Sequence, residues 1–71
     1  MSSIELTVNG GATSVPAGCT IAQLIERLEL PPQGRGVAIA VDEAVVPRGE
    51  WAKLALEHGQ RVEIVTATQG G

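Results

Sequence analysis

The chain has 71 residues, 44% of them hydrophobic and 18% charged, with a net charge of −3; that is one small globular domain with a simple core, not a disordered chain. Trp51 is the sole aromatic residue, so the stacking platforms and the cationic excess of nucleic-acid binders are both missing. A single cysteine, Cys19, offers neither an internal disulfide nor a zinc site, and neither MSSIELTVNG nor GVAIAV has the make-up of a signal peptide or the length of a membrane span, so a reducing cytoplasm is the expected compartment.

The segment IELTV alternates, with Ile4, Leu6 and Val8 on one face and Glu5 and Thr7 on the other, as in a half-buried strand. Asn9-Gly10 is a strong hairpin signal, because both central positions of a type I′ turn require positive φ, and ATSVP then returns as an edge strand ending at Pro16. The period changes in CTIAQLIERLELPP. Thr20 and Gln23 fit a capping box, and Ile21, Leu24, Ile25 and Leu28 repeat along one helical face, which predicts an amphipathic helix of about ten residues stopped by Pro31-Pro32. QGRG reads as a flexible connection. VAIAV is a buried strand with Val37, Ile39 and Val41 on one face and alanines on the other, DEA a weaker turn than Asn-Gly, and VVP a short strand stopped by Pro47. RGEWAKLALEHG is an irregular or briefly helical crossover closed by Gly59, and QRVEIVT supplies the last strand.

This order predicts an α+β roll in which one helix covers one face of a mixed sheet of four to five strands. The intervening elements give the long crossover needed to pair the first and last strands in parallel, so the order suits a β-grasp arrangement.

Catalytic chemistry has little to work with. One His, one Cys, one Lys and scattered carboxylates provide no convergent acid, base or nucleophile, so no catalytic and no metal-ligating residue is assigned. His58 reads as a solvated turn histidine and Trp51 as a core cap. Cys19, just before the helix, reads as a packing residue against Leu24, in preference to a reactive thiol at a helix N-terminus. The glycines of GRG and NGG are turn residues and not a phosphate cradle.

The ending TATQGG is the exception. A glycine pair adds nothing to stability there, yet a carboxylate on an extended, Cβ-free arm suits entry into another protein's narrow active site, where it can be activated as an acyl-adenylate. The five residues Ala67, Thr68, Gln69, Gly70 and Gly71 span up to about 17 Å when extended. The expected organisation is a domain over 1–66 and a flexible tail over 67–71.

LTVNG, VAIAVDEAVVPRGEW and above all GQRVEIVTATQGG resemble the ThiS family, the sulfur carriers of thiamine thiazole biosynthesis, over nearly the whole chain. Gln60, where an acidic residue is expected, and VDEA, where relatives carry an Asn-Gly type of turn, depart from the pattern only at turns. The resemblance implies a ubiquitin-like β-grasp domain that catalyses nothing and binds no cofactor itself. Gly71 would be adenylated by an E1-like activating enzyme using ATP, and sulfur from a cysteine-derived persulfide would displace AMP to leave a thiocarboxylate for thiazole synthase. The small subunit of molybdopterin synthase is the nearest rival. A ubiquitin-like protein modifier, for which Lys53 is the one lysine available for chain building, and a non-transferring interaction module stand further off.

If the first, last and third strands are neighbours, the sheet face away from the helix carries Thr7, Ala38, Ala40 and Val65, bordered by Glu5 and Glu63. Val65, a branched apolar side chain just before the tail, marks this as the expected docking face.

Overall fold

In a computed structural model, residues 2–29 and 36–66 are described. The expected tail over 67–71, Pro31-Pro32 and most of QGRG lie outside them. Among the described residues five strands form one sheet: β1 (Ser3–Val8), β2 (Gly11–Pro16), β3 (Val37–Val41), β4 (Ala44–Val46) and β5 (Arg61–Thr66), in the spatial order β2-β1-β5-β3-β4, with one α-helix, α1 (Ile21–Arg27). β1 and β5 run parallel through Thr7↔Arg61 and Val8↔Val62. The other neighbours are antiparallel. This is the β-grasp arrangement expected from the element order, with the last strand at the centre of the sheet.

Both two-residue hairpin turns have the left-handed backbone their length demands. Asn9 and Gly10 take φ of 49° and 84°, and Asp42 and Glu43 take 51° and 72°. In the first, Asn and Gly accept the conformation readily; in the second, Glu43 is a non-glycine residue with no special tolerance for it.

The capping box forms as expected: Thr20 Oγ1 accepts the Gln23 N–H at 3.2 Å and Gln23 Oε1 accepts the Thr20 N–H at 2.9 Å. The N–H groups of Ile21 and Ala22 donate to Leu54 and Trp51 carbonyls of the crossover. The free donors of the first helical turn are therefore used internally, tying α1 to the segment that leads into β5. The helix is shorter than its apolar repeat predicts. Leu28 is its C-cap, Glu29 turns left-handed at φ 59°, and the chain has left the helix before the prolines are reached. Leu28, expected on the buried face, is consequently 37% exposed.

Ile21, Leu24 and Ile25 of α1 pack with Leu6, Val15, Ile39, Val41 and Val62 of the sheet in one core. Trp51 joins it, 6% exposed, with Nε1 donating to the Val46 carbonyl at 2.9 Å, so it is a core residue with its polar edge satisfied and not simply a cap. A short 3₁₀ turn (Arg48–Glu50) starts the crossover, which bridges to the helix cap at Thr20↔Ala55. Fully burying side chains of this size contributes about 1.5–3 kcal/mol each, which is how so small a core holds.

Candidate functional site

The expected site has two parts, an acyl-bearing tail and a docking face at its foot. Ala67, Thr68, Gln69, Gly70 and Gly71 lie outside the described residues, so the geometry concerns the foot alone. β5 delivers the chain to that foot from the middle of the sheet. Its Val62 and Ile64 point toward the helix, with Val62 fully buried, while Arg61, Glu63 and Val65 point away.

On that outer face Val65 lies opposite Ala38, and Ala40 lies between Glu63 on one side and Val45 on the other. Two alanines thus form a low floor between two valines, and both valines are open, Val65 at 63% and Val45 at 78% exposed. Strand alternation alone places Val65, Ala38 and Ala40 correctly on one face and misses Val45. VVP does not reveal which of its valines turns outward. The Ala40↔Val45 register does.

Thr7 shares the face but not the patch. Its β5 partner is Arg61, and Arg61 and Glu63 stand between it and Val65 along the strand. Thr7 instead borders a shallow polar depression with Asp42, Glu43, Gly59 and Arg61. There the Arg61 N–H donates to Asp42 Oδ1 at 3.0 Å, and the Arg61 guanidinium lies 3.9 Å from the Glu43 carboxylate. These ionic side chains are well exposed, so this pair contributes little to stability.

The remaining candidates have structural roles. Cys19 is 4% exposed and belongs to the core, and burial pushes its thiol pKa up, with Arg27 offsetting that only in part. Its setting favours the neutral, unreactive thiol over a nucleophile. His58 is exposed as expected, but Nδ1 accepts the Glu5 N–H at 3.0 Å, which ties the turn before β5 to β1. Among the described residues no three His, Cys, Asp or Glu side chains converge in a way that could hold a metal ion.

Comparison with known proteins gives consistent results. The sequence model described as the ThiS family matches residues 4–71. The chain is 28% identical over 68 residues to the sulfur carrier protein ThiS of Escherichia coli (strain K12), covering 96% of this chain and 100% of that one. The crystal structure of the thiamine biosynthesis protein ThiS from Geobacter metallireducens superposes with a TM-score of 0.77 at 24% identity, covering 96% and 100% of the two chains. That likeness concerns the fold.

Proposed function

The chain belongs to the ThiS family, and on that premise we propose that it is a sulfur carrier of thiamine biosynthesis that presents the Gly71 carboxylate to the active sites of other proteins. The observation that carries this reading is the extent of the family match, which runs from the first strand through Gly70 and Gly71. Residues 1–66 serve as the domain and residues 67–71 as the segment it presents.

A free carboxylate is a poor acyl donor. An E1-like activating enzyme therefore joins it to the α-phosphate of ATP, releasing pyrophosphate and leaving an acyl-adenylate. The terminal sulfur of a cysteine-derived persulfide then attacks the carbonyl carbon and AMP departs. A second thiol attacks the cysteine sulfur of the resulting S–S bond, forming a disulfide with that cysteine and releasing the thiocarboxylate, whose sulfur passes to thiazole synthase during thiazole ring formation. The carrier contributes no acid or base to these steps and binds neither ATP nor any other cofactor itself. It supplies a tail free of Cβ atoms at its reacting end and a face by which the activating enzyme holds the domain.

Intact-mass analysis tests this directly. Incubation with ATP, the activating enzyme and a persulfide donor is expected to add the mass difference of sulfur over oxygen at the C-terminus, and deletion of Gly71 to abolish the gain. A wild-type chain that stays unmodified with its cognate enzyme overturns the reading. The docking face has its own test. Val65→Asp adds a charge at an exposed position, so it should leave the unfolding midpoint nearly unchanged while weakening binding to the activating enzyme by about tenfold or more; unaltered affinity in a titration would sink the assignment.

A further inference from the structure

β5 offers its backbone hydrogen-bonding groups alternately to its two sides. Residues 61, 63 and 65 face β3, where the antiparallel ladder runs the length of the strand. Val62 and Ile64 face β1, and β1 is too short for both. It ends opposite Val62, at Val8, and the chain turns away through Asn9 and Gly10. The N–H and C=O of Ile64 therefore have no strand to pair with.

The side chain of Asn9 takes that place. Its Oδ1 accepts the Ile64 N–H at 2.8 Å and its Nδ2 donates to the Ile64 carbonyl at 3.2 Å, while its own backbone N–H donates to the Val62 carbonyl at 2.9 Å. A carboxamide has the donor and acceptor of a peptide group, so Asn9 continues the β1 side of the ladder after the strand itself has gone. Among amino acids of this length only asparagine both donates and accepts through such a group, and it also tolerates the φ of 49° that the turn imposes.

Two residues beyond Ile64 the described strand ends. We infer that Asn9 is a positioning residue for the acyl-bearing tail: by holding Ile64 it fixes the direction in which the chain leaves the sheet toward Gly71. The inference rests on the reading that Gly71 is delivered to another active site. The distances involved make the direction matter. With the arm drawn out in a partner's narrow channel, where it reaches up to about 17 Å, a swing of about 20° at its foot shifts the carboxylate relative to the docked domain by about 6 Å, whereas reacting atoms must meet within about 3–3.5 Å.

Asn9→Gly is the clean variant. Glycine keeps the left-handed turn and removes only the carboxamide. Two measurements on the full-length chain are expected to change together. Amide hydrogen exchange at Ile64 should accelerate by about tenfold more than at Val62, which reports only the change in global stability, as loss of the local hydrogen bond implies. For adenylation, followed as pyrophosphate release, kcat should fall by about fivefold with KM within about twofold of wild type, because the docking face is intact while fewer docked molecules have the carboxylate in place. Asn9→Asp keeps the turn and the acceptor but not the donor, and should fall between the two. Unchanged exchange at Ile64 overturns the proposal, and so does accelerated exchange with wild-type kcat. Should the wild-type chain itself fail to be adenylated, the functional reading fails separately. The backbone order parameter at Thr66 then decides the positioning role: a drop in Asn9→Gly upholds it and no drop overturns it.

Discussion

The two hairpin turns have the same length and the same left-handed backbone, yet they hold the central strand in different ways. Asp42 grips the beginning of β5 from the β3 side: its backbone N–H donates to the Arg61 carbonyl at 2.8 Å and its carboxylate accepts the Arg61 N–H. Asn9 grips the far end from the β1 side, and there the side chain alone supplies both donor and acceptor to Ile64. The difference follows from charge. Asp42 accepts only, so the main chain must do its donating; Asn9 has both groups in the side chain and reaches past the end of its own strand. A turn can thus brace a neighbouring strand, and the chemistry of one residue sets how far the brace extends.

Substitutions at the two turns should separate these roles. Asn9→Ala is expected to have the largest effect, a loss of about 3 kcal/mol, from two hydrogen bonds at about 1 kcal/mol each and about 1 kcal/mol for alanine at positive φ. Asp42→Ala loses one side-chain bond and meets the same backbone penalty, so about 2 kcal/mol is expected. Urea unfolding of the pair measures both, and a larger loss for Asp42→Ala would reverse the ranking. Glu43→Gly should act in the opposite direction. Relief of about 1–2 kcal/mol of left-handed strain at φ 72° exceeds the added entropy of glycine, about 0.5–1 kcal/mol, and the exposed pair with Arg61 adds little to the balance. A gain of roughly 0.5 kcal/mol, read as a higher urea midpoint with unchanged slope, is the expected result. No gain would mean that the contact with Arg61 matters more than its exposure suggests.

Features fixed by near neighbours in the chain are legible from the residues alone. The type I′ turn at Asn9-Gly10, the capping box of Thr20 and Gln23, and the alternation that puts Val62 inward and Val65 outward all depend on residues within a few positions of one another. The β-grasp order follows because few connections allow a parallel pairing of first and last strands. Features that depend on register across the sheet are hidden. Val45 joins the patch, and Thr7 leaves it, through pairings that no local pattern encodes. The apolar repeat suggests a longer helix because Leu28 continues it, while the left-handed turn at Glu29 carries no signal of its own. Asn9 is the most instructive residue. Its place in an Asn-Gly turn accounts for it completely at the level of sequence, and so conceals a second role 55 positions away.

The central placement of β5 also has a mechanical consequence. A pull on the chain beyond Thr66 acts along β5, and the hydrogen bonds to β3 on one side and to β1 and Asn9 on the other lie across that line. They are loaded together in shear and do not open one after another like a zipper. Resistance to extraction by the tail is then set by the rate of breaking the whole array at once. A domain pulled by its C-terminal end therefore meets the resistance of both neighbouring strands at once.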